Sequence, residues 1–177
     1  MALIVQKFGG TSVADLDRIR SVANKVKKEL DLGNQVAVVV SAMSGVTDQL
    51  VGLVRQISPM ITPQSLEEYD TIVSSGEQVT SGLLALTLGE MGIPARSFLG
   101  WQMPLISDDA HSKARIHVIK TEGLKACLAA GKVAVVAGCQ GVDEKGRIST
   151  LGRGGSDTSA VALAAALAAS LALWVGA

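Results

Sequence analysis

The chain opens on a short apolar run, Leu3 to Gln6, that ends at Lys7 and is broken by Gly9-Gly10, the pattern of a buried strand entering a tight loop. Apolar residues then recur at Val13, Leu16, Ile19, Val22, Val26 and Leu30, with Arg18, Lys25, Lys27, Lys28 and Glu29 between them. Spacings of three and four place the first set on one helical face and the charges on the other. Ser12-x-x-Asp15 reads as the capping box of that helix and Gly33 as its stop. Val36 to Val40 is a continuous apolar strand, expected to be buried on both faces. After the polar loop Ser41 to Gly45 a helical pattern covers Val46 to Ile57, and Pro59 and Pro63 interrupt it. Glu67 to Val73 and Gln78 to Met91 form two helices separated by Ser74-Ser75-Gly76. Ala95 to Phe98 is a short strand, and a loop with Trp101 and Pro104 leads to Leu105-Ile106. Glu122 to Ala130 is a helix closed by Gly131, and Val133 to Ala137 a buried strand. Gln140 to Thr150 has hairpin character with its turn at Asp143 to Gly146, and the last helix starts at Asp157.

Strands alternating with helices in this order predict a three-layer α/β/α sandwich with a mostly parallel sheet. In such sheets ligands collect at the carboxyl ends of the strands, where the loops after Gln6, Val40 and Ala137 sit. From Ala160 to Ala177 the only polar side chain is Ser170, which predicts a buried helix. The stretch is Ala-rich and has no flanking basic cluster, which argues against a membrane anchor.

Composition narrows the class. Hydrophobic residues make up 48% of the 177 positions and aromatics 3%, so the core rests on Val, Leu, Ile and Ala. This length suits one domain with a proper core. Sixteen basic residues balance sixteen acidic ones, which gives no reason to expect nucleic acid or an anionic membrane as partner. Cys127 and Cys139 lack metal-ligand spacing and are too few for a disulfide framework, which fits a reduced, cytoplasmic chain. The N-terminal apolar run is too short for a secretory signal.

Three segments can carry chemistry. In Lys7-Phe-Gly-Gly-Thr-Ser12, glycines let backbone N–H groups approach phosphate oxygens and the lysine adds a point charge. The same residues also suit a strand-to-helix turn that needs glycine for geometry alone, and no Walker A loop occurs in the chain. Gly152-Arg-Gly-Gly-Ser-Asp157 resembles a dinucleotide loop only in its first three positions. It offers a guanidinium able to grip a carboxylate, and a carboxylate suited to cap a helix, meet Mg2+ or orient a lysine. Glu77, after Ser74-Ser-Gly76, opens a helix and could do so for the dipole alone. His111 and His117 form no metal pair and read as surface or packing residues, and no metal-ligating set is expected from the protein itself.

Taken together these segments resemble the amino-acid kinase superfamily and, within it, the aspartate kinases. Lys7-Phe-Gly-Gly-Thr-Ser-Val13, Val39-Val-Ser-Ala-Met43, Ser74-Ser-Gly-Glu77, Lys113-Ala-Arg-Ile116, Gly138-Cys-Gln-Gly141 and Thr150-Leu-Gly-Arg-Gly-Gly-Ser-Asp-Thr158 follow in that family's order. The resemblance implies transfer of the γ-phosphoryl group of ATP, with Mg2+, to the side-chain carboxylate of L-aspartate, at the start of the route to lysine, methionine and threonine. It implies catalytic roles for Lys7 and Asp157. It implies phosphate contacts from Lys7, Gly9, Gly10, Ser12, Gly154, Gly155 and Ser156, and substrate contacts from Ser41, Thr47, Glu77 and Arg153. Arg153 would clamp the α-carboxylate and Glu77 the ammonium, a pairing that suits a free α-amino acid and argues against acetylglutamate or carbamate, with glutamate the remaining alternative acceptor.

The resemblance ends near Leu167. The family continues with a Tyr-Thr-Asp-x-Asp-Gly strand and loop and with regulatory ACT domains, whereas this chain reads Ala-Ala-Ser-Leu-Ala-Leu-Trp-Val-Gly-Ala from Ala168 to Ala177. Residues 1–177 are accordingly expected to form a single catalytic domain lacking its C-terminal part. The full-length form is expected to be a homo-oligomer. The alternative is a non-catalytic aspartate-binding or assembly fragment.

Overall fold

The computed structural model describes residues 2–58, 62–103, 105–168 and 171–174. Strand β1 (Leu3–Phe8) runs two residues beyond the apolar segment that predicts it, because Lys7 and Phe8 continue the ladder with β2 (Gln35–Val40). A 3-10 turn over Gly10–Val13 separates β1 from helix α1 (Leu16–Asp31). The helix cap is therefore Asp15, whose carboxylate accepts from the Arg18 N–H at 2.8 Å, and not Ser12. Ser12 is buried in the turn, where its N–H donates to Gly9. Ile19, Val22, Ala23 and Val26 are buried as the helical spacing requires, while Leu16 is exposed.

Helix α2 (Val46–Ile57) has the predicted bounds. Helix α3 (Pro63–Val73) starts earlier than its apolar pattern, since Thr62 caps it and Pro63 fits the first helical turn. Helix α4 (Ser75–Glu90) follows after Ser74 alone, so the expected three-residue break is a junction between two helices. Then come β3 (Ala95–Phe98), β4 (Leu105–Ser107), β5 (Ile116–Ile119), α5 (Glu122–Ala129), β6 (Val133–Ala137), the hairpin β7 (Gln140–Val142) and β8 (Ile148–Thr150), α6 (Gly155–Leu167) and β9 (Leu171–Trp174). Pro59 and Pro104 lie outside the described residues, as do 169–170 and 175–177 of the tail.

The main sheet has the order β3-β6-β2-β1-β9 and every pair in it is parallel. Its two faces are covered separately. Phe8, Val38 and Val40 pack with Ile19, Val22 and Val26 of α1 and Leu84 and Leu88 of α4. On the other face Val5, Val39 and Val136 pack with Leu124 and Leu128 of α5 and Leu163 and Leu167 of α6. This is the expected α/β/α sandwich. A second sheet, β5-β4-β7-β8, adds a mixed layer in which only β4 and β7 run parallel.

The tail corrects one expectation. Helix α6 stops at Leu167 with Ala168 in the left-handed region (φ 51°), and residues 171–174 pair with β1 from Ile4↔Leu171 to Lys7↔Trp174. A short apolar run fits a buried helix or a buried strand equally well, and here the open edge of β1 decides for the strand. Among the described residues no helix is long and apolar enough to cross a membrane.

Candidate active site

Parallel strands bring their carboxyl ends together, and three of those ends converge here. The Ser41 N–H donates to Phe8 at 3.1 Å and the Gly138 N–H to Val40 at 2.9 Å, which locks the loops after β1, β2 and β6 against one another. Gly138 has no room for more: a Cβ there would stand 2.8 Å from Ser156 Cβ and 2.9 Å from the Val40 oxygen. Gly138→Ala must push α6 away from the sheet. We expect it to destabilise the chain by about 1–3 kcal/mol, read as a lower midpoint in urea unfolding.

Around this junction lies a cleft of about 300 Å3, lined by Gly10, Ser41, Thr47, Glu77, Arg153, Gly154, Gly155 and Ser156 among others. Eight residues singled out from the sequence thus meet in one place. Beside it Lys7 Nζ and Asp157 Oδ1 form an ion pair at 2.8 Å, the lysine largely buried and the carboxylate half exposed. Gly9 keeps the lysine head accessible, since a Cβ at that position would lie 3.3 Å from Nζ. Asp157 sits in the first turn of α6 and Gly154 (φ 77°) takes the cap position, so the carboxylate faces Lys7 instead of capping its helix. The Ser41 and Ser156 hydroxyls are 2.7 Å apart and tie the loop after β2 to the start of α6. Ser12, though adjacent, does not line the cleft.

Glu77 is the electrostatic exception. It lies in the first turn of α4 and is almost fully buried. Burial pushes its pKa up to about 7, against the opposing pull of its own N–H and that of Ala42. Gly76 makes this possible, for a Cβ there would collide with Ala42 Cβ at 2.8 Å and hold α4 off the loop. A carboxyl group poised near neutrality can take up a cationic partner with little further desolvation.

Sequence reasoning missed Cys139. Its backbone is left-handed (φ 62°), its thiol donates to the Gly152 carbonyl, and its side chain lines the cleft. Burial, then the charge of Glu77, pushes the thiol up to about 12, so it stays protonated and serves as packing. The Cys139 N–H also donates to Ser159 Oγ at 3.0 Å, a second tie between this loop and α6. The signal lay in its surroundings, since Gly138-Cys-Gln-Gly141 follows a strand end and belongs to the segments shared with the family, but nothing in it gave the cysteine itself a place on the cleft. The histidines behave as expected: His111 is buried against Asp70 and His117 is exposed.

The cleft thus combines a lysine–aspartate pair at the strand ends, glycine-rich loops, and an arginine and a buried glutamate on one wall, charges and donors of both signs suited to a small charged ligand. Residues 2–176 match the amino acid kinase family, and the chain belongs to that family.

Within the family the similarity is to aspartate kinases. The chain is 57% identical over 169 residues to the aspartate kinase of Stutzerimonas stutzeri and 52% identical over 169 residues to the aspartokinase of Rickettsia bellii. Both alignments cover 96% of this chain but only 40% and 42% of those proteins, so it spans about two-fifths of the length of the relatives it matches. Among solved structures, the Synechocystis aspartate kinase superposes with a TM-score of 0.82 at 47% identity, covering 98% of this chain and 28% of that one. Aspartokinase III of E. coli, solved with aspartate and ADP, superposes with a TM-score of 0.84 at 27% identity, covering 97% and 48%.

Proposed function

We propose that this chain carries the acceptor side of an aspartate kinase site, which transfers the γ-phosphoryl group of ATP to the side-chain carboxylate of L-aspartate. The observation that carries the reading is the presence of Glu77 and Arg153 on one cleft beside the Lys7–Asp157 pair. A free α-amino acid has an ammonium for Glu77 and a carboxylate for the guanidinium of Arg153. The aspartate bound by E. coli aspartokinase III fits this pairing.

The reaction joins two anions. An oxygen of the aspartate side chain attacks the γ-phosphorus, the bond to the β,γ-bridging oxygen breaks, and ADP leaves with the electron pair. The nucleophile is already ionised at neutral pH, so the step needs no general base. What it needs is positive charge and fixed donors around the phosphoryl oxygens in flight. Lys7, steadied by Asp157, supplies the charge, and the N–H groups of Gly9 and Gly10 supply the donors. Gly154, Gly155 and Ser156 flank the phosphates, Ser12 supports the turn below them, and Ser41 and Thr47 complete the acceptor pocket.

Among the described residues no group of three acidic, histidine or cysteine side chains could hold a metal ion. Asp157 is the carboxylate that would meet Mg2+ carried in by nucleotide phosphates, since Mg2+ keeps water and phosphate ligands and needs few from protein. When bound, it offsets phosphate charge. In the whole protein the reading extends to a cytoplasmic homo-oligomer whose product, 4-phospho-L-aspartate, enters the route to lysine, methionine and threonine.

Calorimetric titration with L-aspartate, L-glutamate and N-acetylglutamate tests the acceptor. Aspartate is expected to bind, and N-acetylglutamate, which has no ammonium, is not. A folded chain that takes up no aspartate would overturn the proposal. Trapping of aspartyl phosphate as the hydroxamate, with Mg·ATP present, then separates a chain that turns over from one that only binds aspartate.

A further inference from the structure

We infer that Asp70, which does not line the cleft, is a positioning residue that sets the distance between Glu77 and Arg153. The inference deepens the proposed function and rests on it.

Asp70 is fully buried on α3, yet five contacts converge on its carboxylate. Oδ2 lies 2.9 Å from His111 Nδ1, and accepts from the Ser112 N–H at 3.0 Å and the Thr150 N–H at 2.9 Å. Oδ1 accepts from the Ser112 N–H at 3.1 Å and from the Thr150 hydroxyl. A buried carboxylate is costly unless its lone pairs are filled, and this one is filled from two separate segments of chain.

Those segments lead to the cleft. Thr150 is the last residue of β8, and the Gly152–Gly155 loop with Arg153 departs from it. Ser112 holds a left-handed backbone (φ 68°) that its residue type does not favour, and its carbonyl lies under Gly152: a Cβ there would stand 2.9 Å from the Ser112 oxygen. Asp70 thus fixes the Arg153 loop twice, through the strand that feeds it and through the turn it rests on.

The other end of the relay is covalent. Helix α3 passes through Ser74 directly into α4, where Glu77 occupies the first turn. Gln140 braces the junction by donating to the Ser74 carbonyl at 3.1 Å. Glu77 and Arg153 come from segments far apart in sequence, and Asp70 is the charged side chain that joins their supports. Two groups that grip the two ends of one small molecule act together only at a fixed separation.

The test uses aspartate titration of the chain, of Asp70→Asn, of Arg153→Ala and of the double variant. An amide at position 70 sets its own N–H groups against the N–H donors of Ser112 and Thr150. We expect Asp70→Asn to weaken aspartate binding at least about tenfold in the parent and by no more than about twofold in the Arg153→Ala background. A general loss of stability would cost the same in both backgrounds. Equal losses, or a folded Asp70→Asn chain that binds like the parent, would overturn the inference.

If Asp70→Asn does not fold, Thr150→Val removes a single donor at constant shape and is expected to weaken binding about threefold. Unchanged binding there counts against the role. Hydrogen exchange keeps the two readings separable: Asp70→Asn, or Thr150→Val in its place, should speed exchange across Gly152 to Ser156 and leave β1 and β2 unchanged. If the parent itself binds no aspartate, the substrate reading fails while this exchange pattern still decides whether Asp70 holds the loop.

Discussion

On the proposed function, Lys7→Met is expected to slow formation of aspartyl phosphate by roughly a hundredfold to a thousandfold while leaving aspartate affinity within about twofold, because that reading aims the lysine charge at the transferring group and not at the acceptor. The stability effect decides whether this is catalysis or folding. Its partner Asp157 is half exposed, so water solvates the carboxylate and the lost ion pair is worth only about 0–1 kcal/mol. Thermal melts of the parent and variant are therefore expected to lie close together. A rate that holds, or one that falls only in step with the melting temperature, removes Lys7 from the catalytic role.

Glu77→Gln is expected to move binding and stability in opposite directions. The buried carboxyl titrates at about 7 against an ordinary value of 4.5. In the parent chain that raised value stabilises the fold below the unfolded pKa and is lost as the pH rises through 7, since the native state must then hold a poorly solvated charge. A shift of this size corresponds to about 3 kcal/mol at pH 8. Glutamine carries no charge and can still accept from the Ala42 N–H, so the variant should unfold at higher urea than the parent at pH 8. The two curves should converge below about pH 4.5, where both side chains are neutral. Aspartate binding should disappear in the variant. In the parent it should weaken about tenfold per pH unit below 7, as Glu77 takes up the proton that excludes the ammonium. Binding that is flat from pH 8 to 6 would deny Glu77 this role.

Part of this cleft was legible from residue order, because its parts are local: a glycine-rich turn at each strand end, a basic or acidic group beside it, and a helix after it. Lys7, Glu77 and Arg153 stood out beside their own neighbours, but turn geometry and the helix dipole explained the Lys7 loop and Glu77 as well, and only the family resemblance chose between the readings and pointed to Ser41 and Thr47. Helix α2 was legible because it too is local, with its bounds set by Gly45 and by the end of the apolar pattern at Ile57. What escaped depends on partners distant in sequence. Ile116-His-Val-Ile is four residues long, two of them exposed, and becomes β5 only because β4 lies alongside. Asp70 looks like any polar residue of an amphipathic helix until Ser112 and Thr150 arrive. At the N-terminus of α1 the misreading was one of offset, since Ser12 and Asp15 offer similar capping chemistry and the 3-10 turn takes up the first of them.

The pairing of β9 with β1 has a consequence for the order of assembly. The first strand finds β2 after a single helix, but its other edge is filled only by Leu171–Trp174, far along the sequence. Contacts of such long sequence separation carry a large loop-closure entropy and form late. The same delay applies to Lys7, whose carboxylate partner rides on α6 just ahead of β9. A chain emerging from the ribosome therefore exposes its lysine and glycine turn early, on a half-built sheet with one open edge. It gains its ion pair only when α6 docks on the sheet, and β9 then fills that edge.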